Sequence, residues 1–246
     1  MHFKIKNTYT EIEGTETEIQ KVKDMFTFQY PYWQRGKGRK PELKFRMLCY
    51  LKYDRFPTGW ISRAITKDDT YEDLRVKPKD KQHLDSNIWD LRPEYQIPAL
   101  ERAKKAGRGI IHHCTGAGKT VIMGHLIKEF PYKTLILVPS LNLLNQNYKE
   151  MSNFFGEDSV GIIGEGKWEP NYITVSTVQT LWSHMKKESE DLKKYFKTVN
   201  MLLIEEAHHI NTGSYTLQNS YFKICMHLNA YYRFGLTATP GDEKSI

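Results

Sequence analysis

His113-Cys114-Thr115-Gly116-Ala117-Gly118-Lys119-Thr120 decides how the rest of this sequence is read. The stretch ends as a phosphate-binding loop does. Glycines at 116 and 118 free the backbone to turn its N–H groups inward on a phosphate. Lys119 reaches the outer phosphates, and the Thr120 hydroxyl suits the shell of a Mg2+ ion. The flanks fit that role. Gly109-Ile110-Ile111-His112 reads as a short buried strand, and Lys119 to Glu129 as a helix whose positive N-terminal end faces the anion. One position departs from the full pattern, because His113 stands where the first small residue is expected.

Outward from this loop, strands and helices alternate. Strands are expected at 109–112, 134–138, 161–163, 173–176, 199–205 and 232–237, with helices at 95–106, 119–129, 142–153, 177–186 and 214–227. That rhythm implies an α/β fold, a doubly wound parallel sheet with function at the carboxyl ends of its strands. Met201-Leu202-Leu203-Ile204-Glu205-Glu206-Ala207-His208 is an apolar strand running into two carboxylates, placed to hold Mg2+ and orient water. His112-His113 and His208-His209 lack a third ligand at metal spacing, so they are not expected to form a metal centre.

The front of the chain reads differently, as a small α+β unit over residues 1–75. His2 to Lys6 alternates as a strand. Thr15-Glu16-Thr17-Glu18 is a capping box, followed by Ile19, Val22 and Phe26 on one helical face. Leu43 to Tyr53 alternates at period two, with Lys44, Arg46 and Lys52 on the outward face. Pro57 opens a short helix carrying Trp60, Ile61 and Ile65. Residues 76–90 are polar and poor in aliphatics, an expected linker to a second domain over 91–246.

Charge is unevenly distributed. The chain of 246 residues carries a net +7, and the stretch from Trp33 to Arg55 holds eight Lys/Arg against Glu42 and Asp54. A polyanionic partner is therefore expected there, with Arg35, Lys37, Arg39, Lys40, Lys44, Arg46 and Lys52 as candidate phosphate contacts, a solvated charge run being the alternative. The aromatic residues Trp33, Tyr50, Tyr53, Phe56 and Trp60 are candidates for stacking on bases or for the core of the small unit. Three scattered cysteines suggest reduced thiols in a cytoplasm, and no apolar run reaches the length of a membrane span.

Five motifs in order resemble those of the superfamily 2 helicases and translocases. Beside the phosphate loop, Glu205-Glu206-Ala207-His208 resembles their Asp-Glu-Ala-His box, with Glu for the first Asp. Leu236-Thr237-Ala238-Thr239-Pro240 resembles their third motif. Leu135 to Ser140 with Leu143 and Gln146, and Val175 to Leu181, resemble the segments that contact nucleic acid. Arg92-Pro93-Glu94-Tyr95-Gln96 resembles the segment that reads adenine, one residue longer than usual between Arg92 and Tyr95. Within the superfamily, Asp24 to Phe28 and Tyr53 to Gly59 resemble the N-terminal domain of the UvsW-type phage recombination helicases.

The resemblance implies a RecA-like motor domain that binds ATP and Mg2+, acts on branched or single-stranded DNA and needs a second RecA-like domain supplying an arginine finger. It implies nucleotide contacts from Arg92, Tyr95, Gln96, Thr115, Gly116, Ala117, Gly118, Lys119 and Thr120. Thr120 and Glu205 would hold the metal, Glu206 would orient the attacking water, and His208, Thr237 and Thr239 would couple the two sites. Ser140, Asn142, Gln146, Thr177 and Gln179 would touch the sugar–phosphate backbone. An RNA helicase, or a nucleic-acid-binding module with nucleotide affinity and no motor activity, fits the same motifs. The sequence ends at Ile246 without that second domain, so residues 1–246 alone are expected to turn over ATP very slowly.

Overall fold

Short apolar runs of four to six residues separated by amphipathic helices build most of this chain. The computed structural model describes the backbone of residues 1–34, 42–49, 53–210 and 220–239, and the side chains of 1–27, 53–210 and 220–239. The chain divides into two units with the boundary at Val76–Lys77.

In the first unit, β1 (His2–Ile5), β2 (Tyr9–Glu13), α1 (Glu16–Met25), β3 (Thr27–Gln34), β4 (Glu42–Cys49), β5 (Arg55–Pro57), α2 (Ile61–Ala64) and β6 (Thr70–Asp73) follow in order. A sheet of order β5-β2-β1-β6 forms beside a separate β3–β4 hairpin. The helix starts where the sequence places it. Thr15 accepts from Glu18 N–H, and the Glu18 carboxylate accepts from Thr15 N–H at 2.8 Å. Val22 and Phe26 then bury against Phe3, Ile12, Phe56 and Ala64. Phe26 packs 4.9 Å from the Phe56 ring and 5.0 Å from Trp60, so these two aromatics belong to the core and are not open platforms for bases. Tyr53 is the contrast, 92% exposed in a left-handed turn.

Lys44 and Arg46 lie on β4, whose register pairs them with Tyr32 and Tyr30. The other expected DNA-contact residues of this region, Arg35, Lys37, Arg39, Lys40 and Lys52, lie outside the described residues, as do Tyr50 and the side chain of Trp33. The strand expected over 43–53 is observed over Glu42–Cys49.

The second unit opens with residues 77–94, which carry no helix or strand. They are nonetheless fastened down: Gln82 N–H donates to Pro131 O, Asn87 N–H donates to Phe154 O, and Leu84, Ile88 and Leu91 pack on the core. Much of the expected linker thus runs as a strap along this unit.

Beyond it come α3 (Gln96–Ala106), β7 (Arg108–His112), α4 (Lys119–Glu129), β8 (Thr134–Val138), α5 (Leu141–Phe155), β9 (Val160–Gly164), β10 (Lys167–Glu169), β11 (Ile173–Thr177), α6 (Val178–Lys186), α7 (Glu190–Thr198), β12 (Met201–Glu205), α8 (Ser220–His227) and β13 (Tyr232–Thr237). The sheet order is β10-β9-β11-β8-β12-β13-β7. All neighbours pair in parallel except β10, antiparallel on β9.

Strand periodicity sorts the core into two layers. Ile136, Val138, Leu203 and Phe234 face α3, α4 and α5, while Leu135, Leu137, Leu202 and Ile204 face α6, α7 and α8. Helices on both faces of a parallel sheet make the fold doubly wound. Each fully buried aliphatic side chain contributes about 1.5–3 kcal/mol, so the central strands anchor the loops at their tips. The strand expected to be buried at 109–112 is instead an edge strand, with Ile110 54% exposed. Helix α7 went unread in the sequence, although Ser189 caps it and Leu192, Tyr195 and Phe196 form its buried stripe. No helix among the described residues is long and apolar enough to cross a membrane.

Candidate nucleotide site

Parallel strands bring their carboxyl ends to one edge, and the sequence motifs converge there. Between β7 and α4 the loop turns on Gly116 and Gly118, at φ 78° and 74°. Both lie in the left-handed region that glycine enters without steric cost. Gly118 is the N-cap of α4 and offers no side-chain acceptor to the first-turn N–H groups, which suits them to an anion. At the first turn Lys119 is held 9% exposed, with its Nζ 3.7 Å from Glu206 Oε1. The loop is tied to the neighbouring strand end, since His113 N–H donates to Thr237 O and His112 Nε2 lies 3.0 Å from Ala238 O. Burial holds the His113 imidazole below its usual range, helped by the charges of His112 and Lys119.

At the tip of β12 the two acids have separate environments. Glu205 is 6% exposed, and its Oε2 accepts from Asn147 Nδ2 at 2.5 Å. Burial pushes its carboxyl up to about 7. The Asn147 hydrogen bond and Lys119 oppose that shift, and the charge of Glu206 adds to it. A cation beside it would favour the ionised form.

Glu206 follows in a left-handed conformation, φ 50°, rare for a residue with a Cβ. That turn leads into a short 3-10 segment, Ala207–Ile210, and sets the carboxylate between Lys119 and His208. His208 Nδ1 lies 3.3 Å from Glu206 Oε2 and 2.9 Å from Thr237 Oγ1. Thr239 N–H donates to Thr237 Oγ1 at 3.1 Å. A continuous polar chain therefore runs Lys119–Glu206–His208–Thr237–Thr239. Thr120 follows Lys119 in the first turn of α4.

Two expected site residues carry bonds within the fold. Gln96, 2% exposed, donates through Nε2 to Ala117 O at 2.8 Å and accepts from Arg92 N–H at 2.7 Å. Its amide fastens the phosphate loop to the head of α3, so the donors and acceptor expected for adenine are already engaged. Thr177, 2% exposed, is the N-cap of α6; its hydroxyl accepts from Thr180 N–H and pairs with Thr180 Oγ1 at 2.9 Å. Beside Gln96, Arg92 Nη1 donates to Tyr95 OH at 2.7 Å, and the Tyr95 ring lies 5.3 Å from that of His113.

On the same edge, Ser140 caps α5, and Asn142 and Gln146 are exposed on its outer face. Gln146 donates to Glu150, and Gln179 donates to Pro139 O at 3.0 Å. Asn147 escapes sequence reasoning. Its burial beside two exposed polar residues gives no pattern, and only the fold brings it to Glu205.

A DNA 3'-5' translocase XPB2 from Sulfurisphaera tokodaii is 31% identical over 199 residues, 81% of this chain and 41% of the relative. The probable helicase D10 of Escherichia phage T5 is 31% identical, over 88% of this chain and 43% of the relative. The chain thus spans about two fifths of the length of these curated relatives. In fold, the UvsW helicase from bacteriophage T4 superposes with a TM-score of 0.67 at 18% identity, covering 97% of this chain and 93% of that one. The model of the family described as "Type III restriction enzyme, res subunit" matches residues 79–242. Loop, acid pair and third motif all fall inside that match, and the chain belongs to this family, within the superfamily 2 helicases and translocases that its motifs resemble.

Proposed function

We propose that residues 77–246 form the first motor domain of an ATP-dependent DNA helicase or branch-migrating translocase of phage recombination and repair, and that residues 1–76 form an accessory DNA-binding unit. One observation carries this reading: the unbroken polar chain from Lys119 through Glu206 and His208 to Thr237. It joins a phosphate loop to the strand end next to it, the connection a motor requires between nucleotide and DNA. The relatives are a DNA translocase and a probable phage helicase, which supports DNA over RNA as the partner.

The residues fit ATP with Mg2+. The loop between His113 and Lys119 cradles the β- and γ-phosphates with backbone N–H groups, and Lys119 neutralises their charge. Thr120 and Glu205 would hold the Mg2+, whose charge offsets that developing on the transferred phosphoryl group. Glu206 would accept a hydrogen bond from the attacking water and orient it. Movement of Glu206 on hydrolysis is felt by His208 and passed to Thr237 and Thr239. Tyr95 and Arg92 flank the base, while Gln96 holds the loop in register. Ser140, Asn142, Gln146 and Gln179 are the second unit's contacts to a DNA backbone, and Lys44 and Arg46 belong to the separate DNA-binding role of the first unit.

The test is Mg2+-dependent binding of a fluorescent ATP analogue by the 246-residue chain, together with ATP hydrolysis by the full-length gene product with and without DNA. Binding by the chain and DNA-stimulated turnover by the full product are expected. Failure to bind ATP at millimolar concentration would remove the nucleotide reading, and stimulation by RNA alone would remove the DNA one.

A further inference from the structure

We propose that Asn147 is a positioning residue for Glu205, the contact that fixes the long side chain of a glutamate at this strand end. The inference rests on the reading of Glu205 as a metal-holding acid. A glutamate has one more side-chain torsion than an aspartate, so its carboxylate samples more positions unless something fixes it. Here the fixing group comes from another element. Asn147, on α5, reaches the end of β12, and its Nδ2 donates to Glu205 Oε2 at 2.5 Å.

The orientation of that amide is determined. Nδ2 has two hydrogens, and the second donates to Leu143 O at 2.9 Å within the same helix. Rotating the amide by half a turn would set Oδ1 against two acceptors, a carbonyl and a carboxylate. Both partners are withdrawn from water, Asn147 1% and Glu205 6% exposed. The cost of the arrangement is visible, because among the described residues no group hydrogen-bonds to the buried Asn147 Oδ1. An apolar side chain of similar size would fill the same space with no such penalty, so packing does not account for the asparagine. Among the described residues Glu205 Oε1 takes no protein hydrogen bond, which leaves one oxygen pinned and the other open.

Outer-shell partners of metal-holding groups typically change metal affinity 10–100-fold when removed. Asn147→Leu deletes the donor while keeping the branched shape, and Asn147→Ala does so without risk of overpacking. Each is compared with Glu205→Asp, Glu205→Ala and the double variant Asn147→Leu/Glu205→Asp in the 246-residue chain. The readouts are binding of a fluorescent ATP analogue as Mg2+ is titrated, the same binding in EDTA, and the unfolding midpoint.

Asn147→Leu and Asn147→Ala are expected to raise the Mg2+ concentration for half-maximal binding roughly tenfold, with binding in EDTA unchanged. In the Glu205→Asp background, Asn147→Leu should have no further effect, since the shorter carboxylate does not reach the amide. An equal loss of binding with Mg2+ and in EDTA, or the same tenfold change in the Glu205→Asp background, makes Asn147 a packing residue and overturns the proposal. If Glu205→Ala leaves the Mg2+ requirement unchanged, the metal-holding reading of Glu205 has failed, and this inference with it. If Glu205→Ala raises that requirement and neither Asn147 variant does, the inference alone has failed.

Discussion

Gly235→Ala tests whether the geometry under the acid pair is as tight as the structure describes. Gly235 sits in the middle of β13, paired with Ile204 on one side and Ile110 on the other. An added Cβ would fall 2.7 Å from the Cβ of Ala207. Favourable carbon–carbon contact is about 3.5–4.0 Å, so one of the two must retreat by about 1 Å. β13 is held between two parallel neighbours, whereas Ala207 belongs to the short 3-10 segment after Glu206. The segment should therefore yield. Overpacking of this kind costs about 1–3 kcal/mol, read as a drop in the urea midpoint. The retreat carries Glu206 and His208 with it and stretches the 2.9 Å contact of His208 to Thr237. Nucleotide turnover by the full-length protein should fall along with stability. Ala207→Gly removes the clashing methyl, so the double variant Gly235→Ala/Ala207→Gly should recover most of the loss in both measurements. A single variant with parental stability and turnover, or a double variant worse than the sum of its parts, would refute this account of the close approach.

Three further outcomes follow from the same structure. Glu206→Gln should keep ATP binding and stop hydrolysis in the full-length protein, whereas Lys119→Ala should weaken both, because the amide keeps shape without accepting the proton while lost phosphate pairing affects every step; equal binding defects would merge the two roles. In the first unit, Asp69 accepts from Thr66 N–H, the Thr66 hydroxyl and the Met1 amine, and the Met1 ammonium holds its carboxyl below the usual range, followed by the Thr66 bonds. Asp69→Asn should be less stable than the parent above the ordinary carboxylate pKa, with the difference vanishing as pH falls through the lowered native value; a gap independent of pH in urea unfolding would rule out an electrostatic cause. Replacing Arg35, Lys37, Arg39 and Lys40 together with Ala should weaken DNA binding equally across sequences and flatten its salt dependence, by about one unit of slope for each phosphate no longer neutralised; an unchanged slope would leave DNA binding to the second unit.

The sequence was most readable where local chemistry and tertiary role coincide. β8, α4 and β13 fall where apolar runs and the phosphate loop put them, to the residue. These elements are buried or capped by their own residues, so their patterns are strong. Legibility fell where the fold reassigns a residue. The run at 109–112 centres on Ile110 and Ile111, yet sheet order places it at the edge, a property that belongs to the other strands and not to its own composition. Residues 76–90 are polar enough to suggest a linker, but scattered aliphatics at 84 and 88 suffice to fasten the segment once a core exists to receive them.

Gln96 shows the same limit inside the site. The amide that suits an adenine edge suits a loop carbonyl equally well, and nothing local distinguishes them. Gly118 makes the difference, since a Cβ there would stand 2.5 Å from Gln96 Nε2. The glycine that allows the loop its left-handed turn also makes room for the glutamine, and the glutamine's bonds to Ala117 O and Arg92 N–H then join loop and helix. Adenine recognition through Gln96 would require those bonds to be exchanged on binding, with a loss of loop order as the cost. Retaining them leaves Arg92 and Tyr95 to meet the base by stacking and charge, a mode that tolerates other purines. Discrimination between ATP and GTP by this site should therefore be weak, within about tenfold in a competition binding assay, because a buried hydrogen-bonded edge is what gives strong discrimination. A preference for ATP of about a thousandfold would show that Gln96 leaves the loop to read the base.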